Sequence, residues 1–62
     1  METAFVIPKS KKAINRLANS MAGENEVIVE QHKGDRVFLA SLNRKYFFWV
    51  NLHNDENWSV DL

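Results

Sequence analysis

Sixty-two residues, with eight Lys or Arg balanced by eight Asp or Glu and no cysteine, leave room for one small domain and remove both a disulfide framework and any thiolate metal site. A chain of ~60 residues buries only about 60% of the surface it exposes when unfolded, so close packing or self-association must supply its stability. Hydrophobic residues at 45% and charged residues at 26% belong to a globular chain rather than a disordered one, and zero net charge argues against a protein that grips polyanions with its whole surface.

Residues 3–7 form a short extended run stopped by Pro8, after which Ser10 offers a hydroxyl to the free N–H groups of a helix start. Ala13, Ile14, Leu17, Ala18 and Met21 then recur at helical spacing, opposite a polar face of Lys11, Lys12, Asn15, Arg16, Asn19 and Ser20. Gly23 follows, where a left-handed cap favours glycine. The spacing predicts an amphipathic helix over residues 11–22 with Leu17 at the centre of its buried stripe. From Glu26 onward the pattern becomes that of short strands, over residues 26–31, 36–42 and 45–52, separated by turn chemistry at Lys33-Gly34-Asp35 and Asn43-Arg44. A polar loop over residues 53–57 leads to a last strand in which Trp58, Val60 and Leu62 share a face. The expected fold class is α+β, a single domain over residues 1–62 with one N-terminal amphipathic helix packed on an antiparallel meander of three to four strands. The apolar run before Pro8 is too short for a signal peptide, and no run approaches the ~18 apolar residues of a membrane span. A cytoplasmic protein without a membrane partner is the expectation.

Alternation fails in the middle strands, and this is the most informative feature of the sequence. A sheet covered by one short helix buries one face and turns polar residues out on the other. Here Phe47 and Trp49 oppose Tyr46, Phe48, Val50 and Leu52, while Val37 and Leu39 oppose Phe38 and Ala40. A twelve-residue helix is only ~18 Å long and cannot shield both faces. Strong curling of the sheet, a second copy packed sheet on sheet, or a partner seated on exposed apolar surface would each resolve the excess. Tyr46, Phe47, Phe48, Trp49 and Val50 are therefore the candidate protein-interaction residues.

Two further constellations bear on function. Lys9, Lys11, Lys12 and Arg16 crowd a helix N-terminus against the sense of its dipole, and free N–H groups there suit an anion. Arg44 and Lys45 precede the aromatic strand, a pairing used to stack single-stranded nucleic acid, although the sheet-based RNA-binding signature is missing. These six are the candidate anion- or nucleic-acid-binding residues. Residues 1–22 carry four basic side chains and one acid, whereas residues 51–62 carry three acids and no Lys or Arg. Such polarity favours pairing with itself or with a protein over a uniform polyanion. His32 and His53 lie at no triad spacing, and the two glycines form no phosphate loop. His53, Asp55 and Glu56 resemble metal donors less than an ordinary polar turn. No catalytic residue, metal or cofactor is expected. The function expected is a small non-catalytic protein-interaction or regulatory module that self-associates as a homodimer or binds an unidentified protein. The alternative is a nucleic-acid-binding regulator using the basic helix N-terminus and the aromatic strand.

Overall fold

The computed structural model describes residues Met1–Leu62 throughout. The chain runs β1 (Thr3–Pro8), α1 (Lys11–Ser20), β2 (Glu26–Lys33), β3 (Arg36–Ser41), β4 (Phe47–Asn51) and β5 (Trp58–Asp61). The fold is α+β, as the periodicities imply, but its sheet has five strands instead of three or four, in the order β4-β3-β2-β1-β5. Residues 3–7 are the reason for the difference. They form an inner strand that pairs antiparallel with β2 through Thr3↔Ile28, Ala4↔Val27 and Phe5↔Glu26, and with β5 through Phe5↔Asp61, Val6↔Val60, Ile7↔Ser59 and Pro8↔Trp58. The meander is thus β2-β3-β4, while β5 crosses back to β1, and the helix follows the first strand.

The sheet curls until its two ends meet. The ring of Phe48 on β4 lies 5.2 Å from that of Trp58 on β5, centroid to centroid, although three strands separate them in the sheet. A bulge in β2 between Val29 and Gln31 contributes to the bend, since an extra residue on one strand increases local twist. Inside the curl lie Ala4, Val6, Val27, Val37, Leu39, Phe48, Val50 and Trp58, joined by Ala13 and Met21 of the helix segment in one buried cluster.

The helix is narrower in its contact than the stripe predicts. Ala13 and Met21 are buried and Leu17 is half-buried against the core, whereas Ile14 is 53% exposed. Only the i, i+4, i+8 line faces inward, so Ile14 and Ala18 flank the contact and face solvent. Ser10 caps the helix, its Oγ accepting from the Ala13 N–H at 3.1 Å. The helix stops at Ser20, short of residue 22. Ala22 and Gly23 take positive φ of 54° and 75°, and the Gly23 N–H donates to the Leu17 carbonyl, which reverses the chain toward β2. At the β2–β3 hairpin, Gly34 has φ 61° between the paired Lys33 and Arg36, the first central position of a two-residue turn that favours glycine.

Candidate functional site

Register fixes what the outer, convex face of the sheet presents. Because Cα partners share a face, the rows Lys33↔Arg36↔Asn51, Gln31↔Phe38↔Trp49, Ile28↔Ala40↔Phe47 and Glu26↔Phe5↔Asp61 all point outward. Phe38 stacks on Phe47 with centroids 5.8 Å apart and meets Trp49 at a tilt of 35°, centroids 5.0 Å apart. Arg36 lies over the Trp49 ring at 5.1 Å, an attraction between guanidinium and ring face. On β1, Phe5 and Ile7 are 53% and 60% exposed, and Phe47 and Trp49 are 44% and 41% exposed. Ile28 and Ala40 in the same rows are buried, and the exposed side chains around them make an apolar patch on a small protein.

The strand proposed for interaction is divided by its own alternation. Phe47 and Trp49 face outward, whereas Phe48 and Val50 are buried and Tyr46 is half-buried against the core. Phe48 and Val50 are therefore packing residues, corrected from the interaction set because their side chains fill the curl. Phe5, Ile7 and Phe38 belong to the outward surface and complete it. Their signal was present in the failed alternation of residues 36–42 and in the apolar run before Pro8, but it required knowing that β1 joins the sheet.

The six basic candidates do not converge. Lys9 Nζ donates to the Asp55 carbonyl at 2.8 Å, Ser10 Oγ donates to Asn57 Oδ1 at 2.7 Å, and the capping bonds occupy the Ala13 and Ile14 N–H groups. The helix N-terminus is thus partly spent on the loop before β5. Arg44 pairs with Glu30 at 2.8 Å. Lys11, Lys12 and Lys45 are exposed, and Arg16 sits 5.8 Å from the Tyr46 ring centroid, linking the helix to the start of β4.

The loop over residues 52–57 is organised by Asp55. Its Oδ1 accepts from the Asn57 and Trp58 N–H groups at 2.9 Å each, and its Oδ2 accepts from the Asn51 N–H at 3.1 Å. Partial burial raises the pKa of this carboxyl, but the N–H donors of Asn57, Asn51 and Trp58, with the charge of Lys9, outweigh it and hold the group below its ordinary value. His53 Nε2 lies 3.2 Å from Asp35. The carboxylate considered as a metal donor is thus engaged in pinning β4 to β5, and no group of three His, Asp or Glu gathers there.

Between the helix and the meeting ends of β4 and β5 lies a slot of about 130 Å3, whose lining includes Lys12, Arg16, Tyr46, Phe48, Asn57 and Trp58. A shallower polar depression of about 240 Å3 adjoins it along the helix, formed by Lys12, Asn15, Arg16, Asn19 and Ser20. No helix is long and apolar enough to cross a membrane. No family model matches the chain, and searches of curated proteins and of solved structures return no match.

Proposed function

We propose that the protein is a small non-catalytic interaction module that pairs with a second copy of itself through the outer face of its sheet. The observation that carries this reading is the uncovered cluster of Phe38, Phe47 and Trp49, continued across the face by Phe5 and Ile7. Exposed aromatics of this kind anchor interfaces. Charge on the same face favours a like partner. Lys33 and Arg36 stand at one end of β2 and its neighbours, Glu26 and Asp61 at the other. A two-fold axis across the face sets the basic end of one copy on the acidic end of the other, as an isologous interface requires. The broadest side of the molecule measures 28 × 25 Å, so such a pair uses most of one side to approach the ~800 Å2 per partner of a standard interface.

Sedimentation at micromolar concentration tests the reading. The wild-type chain is expected to dimerise, and Trp49→Asp, at a half-exposed site, is expected to weaken association by about 2–3 kcal/mol because it places an unpaired charge in the contact. A wild-type chain that stays monomeric at millimolar concentration rejects it.

The ladder of aromatics beside Arg36, Arg44 and Lys45 favours a second reading, stacking of single-stranded nucleic acid on the same face. It ranks lower because Arg44 is already paired with Glu30 and Glu26 and Asp61 oppose a polyanion on that surface. Submicromolar binding of any single strand at about 0.15 M salt, falling with a log–log slope near −0.7 per phosphate contact, would reverse the order.

A further inference from the structure

We propose that the slot between the helix and the β4–β5 seam binds one pyrimidine nucleotide, with the ring in the slot and the sugar phosphate lying along the polar face of the helix. Trp49 borders the slot as well as the aromatic surface assigned to pairing, but none of the features that follow uses it, so the inference does not depend on that assignment.

Three features carry it. The first is size and wall chemistry. A cavity on the order of 150 Å3 admits one benzene ring, and the slot is about 130 Å3 with Tyr46, Phe48 and Trp58 among its walls. Tyr46 and Phe48 stack at 5.1 Å, and Phe48 meets Trp58 at 5.2 Å, so the walls are held by packing; Phe48 and Trp58 are buried, and the half-buried Tyr46 is the ring left to meet a planar guest. The volume is close to that of a single six-membered ring and smaller than a fused purine needs if it is to be held to the same depth. Asn57 adds an amide at the wall, able to donate to and accept from the edge of a base.

The second feature is charge. Lys12 and Arg16 border both the slot and the adjoining depression, one helical turn apart, so they stand where the ring would end and its anionic substituent begin. Neither has a carboxylate within ion-pair distance. Asp55 is the one acid at the slot, and both its oxygens are directed at backbone N–H groups of Asn51, Asn57 and Trp58, which offsets part of its repulsion. Lys and Arg together suit a phosphate, the Arg through paired N–H donors.

The third feature separates a nucleotide from a simpler aromatic anion. Beyond the two cations the depression continues over Asn15, Asn19 and Ser20, with no hydrophobic residue in its lining and a volume of about 240 Å3. Amide and hydroxyl groups there match the hydroxyls of a ribose. A benzoate or phenyl phosphate would leave that part of the surface unused.

Titration of the full chain with cytidine 5′-monophosphate, followed by tryptophan fluorescence and by amide chemical shifts, tests the proposal. Shifts are expected at Lys12, Arg16, Asn57 and Trp58, and cytidine, ribose 5-phosphate and phenyl phosphate should each bind at least about tenfold more weakly. Adenosine 5′-monophosphate should also be at least about tenfold weaker, because its ring system exceeds the slot. The double variant Lys12→Gln, Arg16→Gln changes two exposed side chains and gives up the Arg16–Tyr46 contact, so it should stay folded with wild-type sedimentation and a melting temperature lowered by no more than about 4 °C while losing at least about tenfold in affinity. Absence of saturation by about 10 mM, equal binding of the adenine nucleotide, retention of affinity by the double variant, or shifts confined to Phe5, Phe38 and Phe47 would each overturn it. Phe47 lies on the pairing face and lines neither the slot nor the depression, so loss of dimerisation in Phe47→Asp with nucleotide affinity intact tests the two assignments separately.

Discussion

Asp55 does more for this fold than its place in a polar loop implies. One carboxylate satisfies three backbone N–H groups and ties the end of β4 to the start of β5. Removing it in Asp55→Ala leaves those donors without a partner, and the loss is expected to be about 1–2 kcal/mol, comparable to the loss of a strong cap. Asp55→Asn is more discriminating. Its single carbonyl oxygen can still accept from Asn57 and Trp58, but its NH2 group meets the Asn51 N–H donor to donor, so the variant should fall between wild type and alanine. The pH dependence has a definite sign. The folded state holds this carboxyl below its ordinary pKa of 3.8, so its contribution is complete above that value and is lost as pH falls through the folded pKa. Chemical denaturation from pH 6 down to about pH 2 should show an acid-side decline that is shallower in Asp55→Asn, and identical slopes in the two proteins would remove Asp55 from the account.

At the level of elements, the helix has an inward line of Ala13, Leu17 and Met21 and no more. Leu17 is half-buried against the cluster, whereas Leu39 is fully buried in the middle of it. Leu39→Ala should therefore cost about 3–5 kcal/mol and abolish much of the folded population of so small a domain, while Leu17→Ala falls near 2 kcal/mol and Ile14→Ala is close to neutral. Urea unfolding midpoints across the three variants check the order; an Ile14 effect as large as that of Leu39 would mean the helix is rotated. The helix was legible in the sequence because Ser10, the 3.6-residue stripe and Gly23 all mark it, but its width was not, since periodicity reports which residues are apolar and not how much surface the neighbour offers. The strands were legible in the same way, from Gly34 and from the alternation of Trp58 and Val60. What periodicity could not supply was the partner of residues 3–7. Ala4-Phe5-Val6-Ile7 is apolar on both faces, and only its simultaneous pairing with Glu26, Val27 and Ile28 on one side and Trp58 through Asp61 on the other shows it to be an inner strand. With that strand placed, the excess of apolar residues divides by face, part of it into the curl and part onto the outer side, where Ile28 and Ala40 are buried and Phe5, Ile7, Phe47 and Trp49 are exposed.

For the whole molecule, the question is what the outer face does with Phe5, Ile7, Phe38, Phe47 and Trp49. Curling of the sheet uses up the inner residues, as the contact of Phe48 with Trp58 demonstrates, and leaves these five without a cover. Apolar area alone would not select a partner; in the pairing proposed above, the charges at the two ends of the face would. Lys33 and Arg36 lie roughly 20 Å along the sheet from Glu26 and Asp61, judging by the eight residues of β2, whose ends are separated by about seven steps of ~3.3 Å. An isologous pair brings Arg36 of each copy toward Asp61 of the other, twice per dimer. Arg36→Glu and Asp61→Lys should each weaken association by about fivefold to tenfold, a modest amount because the charges sit at the rim, and mostly through slower association that is steeply salt dependent. Neither change should lower the stability of the monomer appreciably, as both side chains are exposed. The double variant carries both charges reversed on every chain, so it restores the opposite pairing at both ends and should regain most of the wild-type affinity. Sedimentation equilibrium of the four proteins at low and at moderate salt decides the matter. Recovery in the double variant requires that the basic end of one copy meet the acidic end of another, whereas additive losses mean that the face meets some other surface, and the antiparallel two-fold arrangement is then wrong.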